Sequence, residues 1–135
     1  MTSSKNELKR KNADVAIAIR DLHVRRGGKP VIPGISLEMK SGIVTGLLGP
    51  SGSGKTTLIR SIVGVQIIEK GEVIVLREPA RSPSLCQRVA YVTQAPSVYS
   101  DLTVEENLRY FARILDTPRA RISEVIATVG LKDDM

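Results

Sequence analysis

Aromatic residues are nearly missing from this 135-residue chain: it has no tryptophan, one phenylalanine (Phe111) and three tyrosines (Tyr91, Tyr99, Tyr110). Without a surface of interleaved basic and aromatic side chains there is no platform for stacking bases, so a nucleic-acid partner is not expected despite the net charge of +6. Cysteine occurs once, as Cys86. That excludes an internal disulfide and fits a reducing compartment. No apolar run approaches the roughly 20 residues that span a bilayer. Residues 1–12 are polar and charged, without the apolar stretch of a secretory signal. With these absences, the expected location is cytoplasmic.

The charge is uneven. Lys5, Lys9, Arg10 and Lys11 against Glu7 make residues 1–13 a flexible basic tail by composition. The rest, 14–135, is long enough for one domain. Val15–Ile19 and Ile35–Met39 alternate or are β-rich and predict strands, with a turn around Arg26–Pro30 between them. Ile43–Leu48 is a short apolar run of the kind that forms a strand buried on both faces of a parallel sheet. Gly71–Leu76 and Arg88–Thr93 predict further strands, the latter of the buried type and ending at Gln94. Thr103-Val104-Glu105-Glu106 has the form of a capping box. The helix it opens carries Val104, Leu108, Phe111 and Leu115 on one face, expected to be a core face. Thr117-Pro118 opens another helix, with Ile122, Val125, Ile126 and Val129 as its apolar stripe and Gly130 as its stop.

The strongest motif is Gly49-Pro50-Ser51-Gly52-Ser53-Gly54-Lys55-Thr56-Thr57, which satisfies G-x-x-x-x-G-K-[ST]. It stands between a predicted strand and a predicted helix, the setting a phosphate-binding P-loop requires. Glycines let the backbone turn successive N–H groups inward around an anion, and the helix start adds further unpaired N–H groups. Lys55 is the mobile cation for the β- and γ-phosphates. The Thr56 hydroxyl is placed for Mg²⁺, and that of Thr57 for an α-phosphate oxygen. The motif therefore implies ATP or a related nucleotide, carried with Mg²⁺. No D-x-x-G or N-K-x-D follows the loop, which disfavours a GTPase. A β layer ahead of the loop disfavours a small-molecule kinase. With neither heptads nor a cysteine cluster, a DNA-repair ATPase with coiled-coil or zinc insertions is disfavoured too.

That β layer, the phrase Gly46-Leu47-Leu48-Gly49-Pro50, Tyr91-Val92-Thr93-Gln94 and the stretch Ser100–Leu108 together resemble the nucleotide-binding domain of ABC transporters over residues ~14–132, and in detail the ATPase subunits of ABC-2 type exporters. The resemblance implies an α/β P-loop NTPase fold. In it, a mostly parallel central sheet runs to about residue 94, an antiparallel β layer precedes the loop, and a helical subdomain begins over about 95–135. It further implies an ATPase whose hydrolysis drives transport through a separate membrane-spanning permease subunit. The subunit would act as a homodimer or paired with a second nucleotide-binding domain, peripheral on the inner face of the membrane.

Gln94 stands at the family's Q-loop glutamine, which approaches Mg²⁺ and the attacking water. Read without the family, it is a glutamine closing a strand. Residues 95–103 would face a coupling helix of the membrane subunit, or form a plain solvent loop. Arg26 falls where the family usually places an aromatic ring on adenine. A guanidinium plane can stack on a base, and a turn arginine is the alternative. His23 has no companion ligands for a metal.

The family's signature sequence, Walker B aspartate, catalytic glutamate, D-loop and switch histidine have no counterpart in these 135 residues. Asp133 and Asp134 follow a lysine rather than an apolar run. The chain is therefore expected to be the N-terminal part of such a domain, with its C-terminal half absent, and to be inactive alone. The alternative is a non-catalytic nucleotide-binding fragment or regulatory module.

Overall fold

The computed structural model of the chain describes residues 15–131. The basic tail and the Asp133–Asp134 pair lie outside the described residues. The chain forms two compact units, divided between Ala90 and Tyr91.

In the first unit, β1 (Val15–Arg26) and β2 (Lys29–Lys40) form a long antiparallel hairpin. Gly27 and Gly28 both take positive φ, 55° and 76°. This is the left-handed pair that a two-residue hairpin turn demands, and glycine adopts it without steric cost. Pro30 and Pro33 are tolerated because β2 is an edge strand of the sheet, whose order is β2-β1-β3-β4. β3 (Lys70–Val75) pairs antiparallel with β1, and the two-residue β4 (Glu78–Pro79) with β3.

β1 is longer than the run Val15–Ile19 that its alternation suggests, and a bulge explains the difference. Pairing shifts between Ile19 and Leu22 on the β2 side and between Arg20 and His23 on the β3 side. Asp21 sits there with φ 45°. One extra residue resets the phase, so Ile19, Leu22 and Val24 all point into the core, where they are almost completely buried. The bulge is fixed by polar contacts. The Asp21 N–H donates to Ser36 Oγ at 2.9 Å, and its carboxylate meets Lys70 Nζ at 2.7 Å and His23 Nε2 at 2.8 Å. Hydrogen bonding by Lys70 first, then by His23, holds the Asp21 carboxyl below its ordinary pKa.

Helix α1 (Lys55–Ile62) lays Leu58 into the cluster formed by Ile19, Leu22, Val24, Ile32, Val73 and Val75. It ends in a Schellman turn at Gly64: Val65 N–H reaches Arg60 O, and Gly64 N–H reaches Ser61 O. A short 3₁₀ turn, Pro83–Gln87, adds Leu85 to the same core.

Two expected strands do not form. Residues 43–48 and 88–93 make no ladder, and the described sheet is wholly antiparallel. Leu48 is 94% exposed and Val92 92%. An apolar run can be a both-faces-buried strand only if hydrogen-bonding neighbours flank it. Among the described residues none does, so the mostly parallel sheet read from the sequence is absent there. The β3–β4 turn, Leu76-Arg77, was unforeseen: both residues have positive φ, 49° and 72°, in a turn where Asn-Gly would signal itself.

In the second unit, α2 (Val104–Ile114) starts at the expected capping box. Glu106 N–H donates to Thr103 Oγ1 at 3.2 Å, and Thr103 N–H to Glu106 Oε2 at 2.9 Å. Its apolar face is not a core face. Leu108 is half-buried, but Val104, Phe111 and Leu115 are exposed, and the buried residue is Asn107. In α3 (Ala120–Thr128), Ile122 and Ile126 are buried while Val125 and Val129 are exposed. Two short helices offer each other only a narrow seam, which cannot cover both stripes. Gly130, with φ 74°, ends α3 in a second Schellman turn.

Because its folded pKa is depressed, Asp21 adds stability that is present above the unfolded carboxylate pKa and is lost as pH falls through the folded one. Asp21→Asn should lower the midpoint of thermal unfolding at pH 7, and the gap from wild type should close as pH is lowered past that range. A gap that persists undiminished at the acid end would show that the carboxylate charge is not what fixes the bulge.

Candidate phosphate site

The loop 49–54 enters α1 through Gly54, whose φ of 89° is open to glycine and strained for any other residue. Space is restricted as well. A Cβ on Gly54 would lie 3.1 Å from the carbonyl oxygen of Val31 in β2. The hairpin therefore braces the loop from outside through Val31, a residue the sequence did not single out. Ser53 N–H bonds Pro50 O at 3.3 Å and Leu58 N–H bonds Gly54 O at 2.9 Å.

The start of α1 is unneutralised. Gly54 offers no side-chain cap, and no acidic residue stands in the first turn. The N–H groups of Lys55, Thr56 and Thr57 have no partners within the helix, and the helix dipole adds partial positive charge there. Lys55 folds back over the loop, and its Nζ donates to Gly49 O at 2.7 Å and Pro50 O at 2.6 Å, with Ser53 Oγ at 3.4 Å. Two of the three ammonium donors thus fix the cation across the loop, and the third has only the longer Ser53 contact. A pinned cation beside open amide donors is the arrangement that favours an anion.

Thr56 is exposed, whereas Thr57 is buried beside Leu58 and Ser61. For Mg²⁺ the donor set is sparse. Among the described residues no group of three His, Cys, Asp or Glu side chains could hold a metal. Thr56 supplies one neutral oxygen, which suits Mg²⁺ that arrives with most of its ligands on phosphate and water. Gln94 belongs to the second unit, where it is exposed in a bend. Its neighbour Thr93 ties that bend, with Oγ1 2.6 Å from both Ala95 O and Ser97 Oγ. Arg26 is the exposed last residue of β1, paired across the turn with Lys29.

The sequence reading missed Asn107. Its Oδ1 accepts from Tyr99 N–H at 2.8 Å, and its Nδ2 donates to Tyr99 O at 2.9 Å, Leu102 O at 3.1 Å and Thr103 O at 3.1 Å. This side chain holds 99–103 in shape. The available signal was an asparagine inside a helix, where its propensity is poor unless the amide has work outside the helix. Asn107→Ala would strand the Tyr99 N–H and the Leu102 carbonyl, while Tyr99 O and Thr103 O would keep backbone donors from Leu102 and Asn107. It should destabilise the second unit by about 1–3 kcal/mol, read as faster amide exchange over 99–103. Unchanged exchange there would contradict the anchor.

Comparison with known proteins places the chain. The model of the ABC transporter family matches residues 32–135. The cytochrome c biogenesis ATP-binding export protein CcmA of Cupriavidus pinatubonensis is 36% identical over 119 residues, covering 85% of this chain and 53% of that protein. The Nod factor export ATP-binding protein I of Rhizobium sp. is 36% identical over 117 residues, covering 85% and 38%. The sulfate/thiosulfate import ATP-binding protein CysA of Mycolicibacterium paratuberculosis is 32% identical over 123 residues, covering 87% and 34%. The chain spans about half, or less, of the length of these curated relatives. Among solved structures, an ATP-binding subunit of an ABC transporter superposes with a TM-score of 0.68 at 26% identity, covering 78% of this chain and 45% of that one. CbiO1 from Clostridium perfringens, part of the ABC transporter complex cbiONQ, shares the fold with a TM-score of 0.69 at 24% identity, over 85% and 49%.

Proposed function

The chain belongs to the ABC transporter family, and on that premise we propose that its 49–57 loop binds the phosphates of MgATP within an ATPase subunit that powers transport through a separate membrane-spanning permease. The carrying observation is the Lys55 ammonium pinned between the Gly49 and Pro50 carbonyls, beside an α1 N-terminus with no cap of its own. The backbone of Gly49, Pro50, Ser51, Gly52, Ser53 and Gly54 wraps the phosphates, and Lys55 meets the β- and γ-phosphates. Thr57, whose side chain is buried, is assigned to the α-phosphate side. Mg²⁺ neutralises phosphate oxygens when bound; Thr56 is the residue of the first unit that would hold it, and Gln94, in the second unit, is assigned to it by the family's Q-loop alone.

Residues 14 to about 94 are assigned to the P-loop core, and about 95–135 to the start of a helical subdomain. Residues 95–103, of which Asn107 holds 99–103 in shape, are assigned to the face that meets the permease. Pairing of two nucleotide-binding domains, and a place on the cytoplasmic face of the membrane, follow from the same reading. No described helix is long and apolar enough to cross a membrane. Import and export both occur among the names of the relatives, and the resemblance of the sequence as a whole to ABC-2 type exporter subunits is what favours export. No apolar run ending in Asp-Glu stands in the sequence. The 135 residues alone are therefore expected to bind MgATP without turning it over, which keeps the non-catalytic module as the second reading.

Thermal unfolding with and without MgATP tests the phosphate site, since a ligand of the folded state raises the midpoint. At a hundredfold excess over Kd the gain is about 2.7 kcal/mol. Wild type should shift upward and Lys55→Ala should lose most of that shift. An equal shift in both would remove Lys55 from the site, and Lys55-dependent phosphate release by the chain alone would overturn the non-catalytic reading.

A further inference from the structure

The outer face of the sheet carries a groove to which the phosphate loop contributes no residue. Along β1, Ile17 and Ile19 turn to the core, so Ala16, Ala18 and Arg20 turn the other way. Ala18 pairs with Glu38 of β2 on one side and with Ile74 of β3 on the other, which sets the three side chains in one row across the sheet. A methyl group between two longer side chains leaves a channel along β1. It opens to solvent and holds about 550 Å³, with Ala16, Ala18 and Ile74 as an apolar lining and Arg20, Glu38 and Arg77 beside them. Small-molecule sites commonly have volumes of about 300–1,000 Å³.

The groove also carries uncommitted charges of opposite sign. Arg20 is matched by Glu72 at 3.4 Å. Glu38 and Arg77 have no ion-pair partner among the described residues, and they do not pair with each other. They belong to opposite walls: Glu38 is on β2, and Arg77 is in the turn that follows β3.

The width between the walls selects the ligand. Neighbouring strands lie about 4.8 Å apart, so Glu38 and Ile74, on either side of Ala18, are separated by about 10 Å. A free α-amino acid carries its ammonium and carboxylate on one carbon, too close together to serve both walls. An extended chain advances about 3.4 Å per residue, so about two or three residues cross the gap. The N-terminal ammonium then meets the Glu38 carboxylate. The C-terminal carboxylate meets the Arg77 guanidinium, whose paired donors match its two oxygens. Apolar side chains between the two ends cover Ala16, Ala18 and Ile74 and remove them from water.

We infer that this groove binds short zwitterionic peptides with apolar side chains, at a site separate from the phosphate loop and independent of it.

The test is a backbone amide NMR titration of the full chain with three probes: dileucine, N-acetyl-dileucine, which lacks the ammonium, and dileucine amide, which lacks the carboxylate. Dileucine should shift the amides of Ala16, Ala18, Ile74 and Arg77. Each capped probe should bind about fivefold or more weakly, the worth of one charge-assisted contact at a partly exposed site. Arg77→Asn removes the guanidinium with a residue that tolerates positive φ, and should bring dileucine down to the level of its amide. Glu38→Gln should bring it down to the level of the acetylated probe. Ala18→Leu fills the channel and should abolish the shifts with all three. Dileucine shifts that are absent or fall elsewhere overturn the inference. So do capped probes that bind as tightly as dileucine, or an Arg77→Asn chain that keeps its thermal midpoint and binds dileucine like wild type.

Discussion

The positive end of α1 governs much of the first unit. A helix start with no cap and no acidic neighbour costs stability in an isolated domain, because its N–H groups lack partners. Here that start is held in place from three sides. Val31 of β2 backs Gly54, Leu58 anchors the next turn in the sheet core, and the Lys55 side chain stitches the loop to itself through the Gly49 and Pro50 carbonyls. The donors stay open because the surroundings, and not a cap, fix the backbone. The groups an anion would need are those the fold leaves unsatisfied.

The sheet that seats α1 depends in turn on the bulge at Asp21. Without the extra residue, strict alternation after Ile19 would send Leu22 to the opposite face. With it, Ile19, Leu22 and Val24 form one floor under Leu58. The Asp21, His23, Lys70 and Ser36 contacts lie on the exposed side of that turn and pin the register. A polar cluster on the surface thereby sets which apolar residues face the helix, and so where the phosphate loop sits against the hairpin.

The glycine loop and the helix it enters were legible in the sequence because they are local: glycine spacing, Lys55 and the start of the helix sit within nine residues. So was the capping box at Thr103, where two side chains three residues apart satisfy each other. The runs 43–48 and 88–93 were misread for the opposite reason. Their apolar character describes an environment on both faces, and that environment depends on neighbours that residues 15–131 do not supply. The reach of β1 was hidden by a bulge, which breaks the period that pattern reading follows. Asn107 was hidden because its partners are backbone atoms, invisible in side-chain patterning. Arg26 was given a role only by resemblance; in the structure it is the last residue of β1, paired across the turn with Lys29.

The most direct test of the central claim is a backbone amide NMR titration of the chain with MgATP. If α1 and the loop form the anion cradle, the largest shifts fall on the amides of Gly52, Ser53, Gly54, Lys55 and Thr56, and Lys55→Ala abolishes them. Shifts spread evenly over the surface, or concentrated away from this loop, would contradict the account.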